Sequence, residues 1–433
     1  MNRIARLFVT VLTVALLPSA SHAQDLQQFS VAGIDVVHRS IEANDVIAAQ
    51  LYVKGGSAAL TPETAGVERF IGAVATRGTE KYTKDAFASR SAATGTAISG
   101  QAFHDYSVMS VQAVTDYWDE SWDLFSQAVL HPTFPENEVE LVREQIINAL
   151  KGREDNPDQQ LALLANNLLY AGHPYAIDPN GTVEAIESMT AEDLAGWHAR
   201  RLTKENLLFV VVGNVDRADL EAKITAEFGA LPTAGGKAPE TIDAEPGGPD
   251  VNVVERELPT NYIRGQFVTP PPGDPDYAPL RVGLNILSNR LFEEVRTKRN
   301  LTYAVFSGLS QRRANYGLLY VTAVEPDTTL KVMYHEVERL KTEPITEERL
   351  QESVNVFATR YWMGQETNMG LAAALGTFEL AGGGWEQALE FIDRVHDVTP
   401  ADIQRVAAKY LKDLHFAVLG DPAKIDEELF TSL

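Results

Sequence analysis

Two stretches of this chain are apolar without alternation: LLFVVV at 207–212 and HFAVL at 415–419. That pattern marks strands covered on both faces rather than strands with a wet side. Each run follows a segment whose apolar residues recur at helical spacing, Leu194, Trp197 and Leu202 before the first and Ile403, Val406 and Leu411 before the second. Both helical segments open on a Thr with an Asp three positions later, Thr190–Asp193 and Thr399–Asp402, a close variant of the capping box. Both strands run into Gly-Asn or Gly-Asp, at Gly213 and Gly420. The two units lie about 209 residues apart. A unit recurring at that distance is an internal repeat, and it divides the chain into two similar halves of roughly 200 residues each.

The rest of the pattern fits such halves. Asp45–Val53 and Val108–Val114 read as strands, and Trp118–Val129 and Glu136–Leu150 as helices. Strands and helices alternate without a phosphate-binding glycine fingerprint, so the expected class is α+β, with helices packed on a sheet. Between the halves, Thr233 to Asp250 is rich in Gly, Pro and charge and nearly free of large apolar residues, and reads as an exposed linker. The expected organisation is a signal peptide over 1–23, an N-terminal domain over 24–235, a linker over 236–250 and a C-terminal domain over 251–433.

The N-terminus changes the expected location. Arg3 and Arg6 precede an apolar run from Leu7 to Leu17, and Ser21-His22-Ala23 offers a small-x-small cleavage site before Gln24. The run is shorter than the roughly 18 residues that span a bilayer. The expectation is export with cleavage after Ala23, to the periplasm in a Gram-negative cell, and no membrane span thereafter. The chain has no cysteine, which excludes disulfides, thiolate metal sites and cysteine nucleophiles. A net charge of −23 disfavours nucleic acid and anionic membrane as partners. The nine histidines are scattered, none three or four residues from another. His104 beside Asp105 is the one local pair of interest, and it reads as a solvated residue at a strand edge or turn rather than a ligand.

The run LYVKGGSAAL…GVERFIGAVATRGTEKY, with Gly55-Gly56-Ser57, Gly66 and Gly78-Thr79, resembles the N-terminal segment of the pitrilysin/insulinase metallopeptidases. The resemblance continues through His131-Pro132-x-Phe134, Asp155-Asn156-Pro157, His173-Pro174-Tyr175 and Gly181-Thr182, and resumes at Asp276-Tyr277 and Ser288-Asn289-Arg290-Leu291-Phe292. It covers nearly the whole chain after the signal peptide. It implies two homologous domains, each a mainly antiparallel sheet packed with helices, forming half of a clamshell. The family's inverted zinc motif sets two His at i and i+4 on one helix, with the general-base Glu at i+3. Here Arg69, Gly72 and Ala73 occupy those positions, and alignment on Asp155-Asn156-Pro157 puts Asn148 and Ala149 where the third ligand belongs. Zinc needs three N, O or S ligands, so the resemblance implies a chain with no cofactor of its own.

One functional feature of the family is retained. Ser288–Arg299 reads as a helix capped by Ser288 or Asn289, Asn300 as its left-handed cap, and LTYAVFSGL as the following strand. In the family this stretch carries an Arg and a Tyr, seven residues apart, that grip the substrate carbonyl beside the zinc; they match Arg296 and Tyr303. Ala97–Ala102 sits where such peptidases present an edge strand to an extended peptide. The long glycine-rich loop of the non-catalytic mitochondrial processing subunit is missing. The resulting expectation is a catalytically silent subunit of a heterodimeric zinc metallopeptidase that degrades peptides. A paralogous partner would supply zinc, and this chain Arg296 and Tyr303. The alternative is a non-enzymatic binding or structural protein that keeps the peptidase fold. A self-sufficient homodimeric protease is opposed by the missing ligands.

Overall fold

The computed structural model describes residues 26–233 and 241–433, so the expected signal peptide and the first residues of the expected linker lie outside the described residues. The first half runs β1 (Leu26–Val31), β2 (Ile34–Ser40), β3 (Val46–Lys54), α1 (Val67–Val74), α2 (Lys84–Thr94), β4 (Ala97–Ala102), β5 (Tyr106–Val114), α3 (Trp118–Leu130), α4 (Glu136–Asp155), α5 (Pro157–Leu169), α6 (Val183–Ser188), α7 (Ala191–Arg201), β6 (Leu207–Gly213) and α8 (Arg217–Phe228). The second half runs β7 (Asp250–Glu255), β8 (Asn261–Thr269), α9 (Tyr277–Leu291), β9 (Val305–Leu309), β10 (Asn315–Ala323), α10 (Pro326–Thr342), α11 (Glu347–Gly364), α12 (Asn368–Ala381), α13 (Glu386–His396), α14 (Pro400–Tyr410), β11 (His415–Gly420) and α15 (Glu427–Phe430).

The repeat is carried into three dimensions. The sheet orders are β1-β2-β6-β3-β5-β4 and β7-β11-β8-β10-β9. Leaving β1 aside, the two match strand for strand: one parallel pairing (β2·β6, β7·β11), then antiparallel ones. The two apolar runs, β6 and β11, lie inside their sheets with every residue buried, as their lack of alternation predicts. Both capping boxes form: Thr190 accepts from the Asp193 amide at 3.1 Å and Thr399 from the Asp402 amide at 3.2 Å.

The alternating faces of these strands show how the halves are joined. On β6, Phe209 and Val211 pack with Trp122 of α3 and Phe228 of α8, while Leu208, Val210 and Val212 pack in a core that includes Leu371, Ala372 and Leu375 of α12. On β11, Ala417 and Leu419 pack with Leu161, Ala165 and Leu169 of α5. Each half therefore lends a helix to the sheet of the other, and each buried Leu or Val there stabilises by about 1.5–3 kcal/mol. Around that exchange lies a polar seam. Tyr175 donates to Asp105, the Arg313 amide donates to Asp105 at 3.1 Å, and Tyr170 donates to the Ala314 carbonyl at 2.6 Å.

Three sequence expectations are corrected. The helix expected over Ser288–Arg299 begins at Tyr277, because Leu280, Leu284, Leu287 and Leu291 sustain one continuous buried stripe, so Ser288 and Asn289 are interior residues and not caps. It ends in a π-helical turn over Phe292–Thr297, and the expected strand begins only at Val305. Part of the expected exposed linker is packed: Ala244 is buried in the cluster around Tyr170 and Tyr175, and His173 Nε2 lies 2.9 Å from the Ile242 carbonyl.

Candidate functional site

The motif positions lie on α1, the short helix after β3. Its buried face, Phe70 and Val74, packs on Val142, Ile146 and Leu150 of α4, an apolar contact. Arg69 donates from Nη1 to the Asn180 carbonyl at 3.1 Å and so braces α1 against the turn before α6. Gly72 faces the backbone of the edge strand β4. A Cβ on Gly72 would lie 3.0 Å from the Cα of Gly100, and one on Gly100 would lie 2.5 Å from the Cα of Gly72. Helix and strand meet backbone to backbone, leaving no room for a general-base side chain. Ala73 is half-buried, and Asn148 and Ala149 are exposed on α4.

Zinc does not fit these residues. Arg69 brings a cation, Gly72 and Ala73 offer no donor atom, and Asn148 supplies only a neutral amide. Among the described residues, no group of three or more His, Asp or Glu side chains lies close enough to hold a metal.

A residue that the sequence reading passed over sits directly beneath. Glu68, in the first turn of α1, is buried, with its carboxylate 3.7 Å from the Arg201 guanidinium. Burial pushes its pKa above the ordinary carboxylate value, with Arg201 opposing that shift. The pair borders a cavity of about 60 Å³ that Gly72 and Gly100 also line. Nothing in the spacing of Glu68 and Arg201 along the chain signals this contact; a charged residue on the apolar face of an otherwise hydrophobic helix is the only hint.

His104 is also corrected. It stands in the β4–β5 turn, as read, but it is not solvated: its ring packs 5.0 Å from that of Tyr175, and Nε2 is buried without a hydrogen-bond partner. Burial drives its pKa well below the ordinary 6.5, with Arg312 and His173 adding to the fall. The seam between the halves covers this turn, a long-range contact that local sequence does not reveal.

Arg296 and Tyr303 are brought together on the second half. The π-helical turn closes with the Lys298 amide on the Glu293 carbonyl at 2.9 Å, and Asn300 takes the left-handed conformation at φ 52°, as expected of it. This turn sets the Arg296 guanidinium 4.7 Å from the centre of the Tyr303 ring and 4.8 Å from that of Phe292, a cation held between two aromatic faces. Tyr303 lies in an irregular segment before β9 and is 81% exposed. The neighbouring charges are neutralised: Lys298 and Arg299 bind Glu294 at 2.6 and 2.5 Å, and Lys298 binds Glu293 at 3.0 Å. Hydrogen bonds from Lys298 and Arg299 hold the Glu294 carboxyl down at about 2. Arg296 pairs with no carboxylate among the described residues. Arg296 itself is half-buried, while Tyr303 stands largely in solvent.

Comparison with known proteins identifies the family and the fold. Residues 35–178 match the family model described as insulinase (peptidase family M16), and residues 188–357 the one described as the peptidase M16 inactive domain. An uncharacterized zinc protease of Mycobacterium tuberculosis is 26% identical over 312 residues, covering 69% of this chain and 70% of that protein. Another, from Rickettsia felis, is 21% identical over 403 residues, covering 90% of this chain and 96% of its own. Among solved structures, a peptidase M16 inactive domain from Pseudomonas fluorescens superposes with a TM-score of 0.84 at 22% identity, covering 92% of this chain and 98% of its own. A protease from Helicobacter pylori superposes with a TM-score of 0.82 at 20% identity, covering 92% and 99%.

Proposed function

The chain belongs to the insulinase family of M16 peptidases, and from that membership we propose that it is the zinc-free subunit of a heterodimeric metallopeptidase that degrades peptides. Its own motif helix cannot hold the metal. Its second half instead completes an active site whose zinc and general base belong to a paralogous partner chain. The observation that carries this reading is the Arg296–Tyr303 pair, a half-buried guanidinium stacked on a largely exposed tyrosine, which forms no ion pair among the described residues while the next cations along the chain, Lys298 and Arg299, are bridged to carboxylates.

The chemistry available to the pair is hydrogen-bond donation. A guanidinium N–H and a phenolic O–H carried by one stacked pair can both donate to a carbonyl oxygen as it gains negative charge, and donors set in place before the reaction need no reorganisation during it. This chain moves no proton and forms no covalent bond in that scheme; it binds and orients. The N-terminal apolar run supports placing the assembly outside the cytoplasm, in the periplasm, after cleavage behind Ala23.

The test is to reconstitute the complex with a paralogue carrying the intact motif and to replace Arg296 by Ala or Tyr303 by Phe. Each change should lower kcat by about 10²–10³ while the complex still assembles, the cost of one lost transition-state donor. Full activity in both variants would remove the pair from the reaction and leave a binding or structural protein of the same fold.

A further inference from the structure

The second half holds an open cleft that the described site does not use. It has a volume of about 520 Å³, within the range of ligand pockets. Residues of α9, β9, α11 and α12 form its walls, and its edge reaches the seam, where Thr377 of α12 meets Tyr106 of the first half at 3.3 Å. The repeat says what this place is. As α1 follows β3 and packs on the edge strand β4 opposite α4, so α9 follows β8 and packs on the edge strand β9 opposite α11. The cleft is thus the second-half counterpart of the degenerate motif. In the first half the contact of Gly72 with Gly100 leaves only a cavity of about 60 Å³; in the second half the space is about 520 Å³.

Its chemistry runs against that of the molecule. The chain carries a net charge of −23, yet the cleft wall bears Arg281 and Arg360 and no Asp or Glu. Arg281 donates to the Leu309 carbonyl and stacks 5.8 Å over the Phe357 ring, so it is held in place. Arg360 is exposed and forms no ion pair with any described residue. Gln311 and Gln365 add amides to the wall, and the buried Oδ1 of Asn285 has no hydrogen-bond donor among the described residues. The site therefore asks for two things at once: an anion to meet the guanidinium groups, and an N–H to meet Asn285.

We infer that this cleft binds a peptide carboxylate, with Arg360 and Arg281 holding the carboxylate and Asn285 accepting from a backbone N–H of the same peptide. A guanidinium fork matches a carboxylate in shape as well as charge. A peptide carries its N–H donors close to that carboxylate, which a simple inorganic anion does not. That the carrier is a peptide rests on the peptidase reading above; the carboxylate preference rests on the cleft alone.

The test is fluorescence anisotropy on the purified mature chain with three labelled octapeptides: one with a free C-terminus, the same sequence as its C-terminal amide, and the amide with one internal Glu. Binding of the free-acid peptide but not the amide identifies a C-terminal carboxylate as the ligand. Rescue by the internal Glu extends it to side-chain carboxylates. In either case Arg360→Gln should weaken binding at least about tenfold and Arg360→Lys should keep part of it, since Lys retains the charge but loses the fork. Unchanged thermal melting of these surface variants would show that they remain folded. Equal binding of all three peptides, no binding of any, or indifference to Arg360→Gln would overturn the proposal. The measurement needs neither partner nor turnover, so its failure leaves the composite active site untouched, and loss of that reading would leave the carboxylate preference of the cleft standing.

Discussion

His104 carries a residue-scale consequence of the seam. Its ring is packed against Tyr175, and burial holds it neutral well below the ordinary 6.5. An unfolded His104 accepts a proton near that ordinary value, whereas the folded one refuses it until the pH is much lower. The unfolded state therefore binds more protons across this window, and stability falls as pH drops below 6.5. The urea midpoint of the chain should decrease between about pH 7.5 and pH 5.5, and His104→Gln should flatten that decrease. Buried His38 and half-buried His198, also shifted down by desolvation, leave a residual slope. A variant as pH-sensitive as the parent would show that His104 titrates freely. The sequence placed His104 in a turn but not under cover, because the residues that cover it, Tyr175 and Arg312, come from distant segments and the other half.

Among the elements, α12 shows how closely the halves are fitted. Gly376 sits over Tyr52 of β3, and a Cβ there would lie 2.3 Å from the tyrosine hydroxyl. Tyr52 cannot swing away, since it is fully buried and donates to Gln50 at 2.7 Å. Gly376→Ala should destabilise the chain by about 1–3 kcal/mol through overpacking, measured by denaturant unfolding. A neutral substitution would mean that α12 rides loosely on the first sheet. The elements themselves were largely legible. The unbroken apolar runs of β6 and β11, and the Thr–Asp caps before them, gave both sheets their inner strands and revealed the repeat. The apolar-rich segments 45–53 and 108–114 read as two more strands, and both form. What local pattern missed was context. The start of α9 was misjudged because Ser288 and Asn289 look like caps when the leucine stripe before them is not counted. The π-helical turn, on which the meeting of Arg296 and Tyr303 depends, has no periodicity of its own to read. That Arg69, Gly72 and Ala73 offer no metal-ligand side chains is plain in the sequence, yet the contact of Gly72 with Gly100 required the fold.

At the scale of the whole molecule, the two halves have diverged around one plan. The first half has filled the space beside its motif helix with backbone, braced by Arg69 and undercut by the buried Glu68–Arg201 pair. The second half has kept a cation–aromatic pair at the end of α9 and, against an earlier part of the same helix, an open, positively lined cleft. That difference between the halves supports the proposal that this chain completes another protein's site. The most direct test is the rate of peptide hydrolysis by the purified chain, by a paralogue with the intact zinc motif, and by mixtures of the two. The account predicts no turnover from this chain alone and a rate that rises with added chain to a plateau at an equimolar ratio. Hydrolysis by this chain alone, or a paralogue whose rate is indifferent to it, would contradict the account.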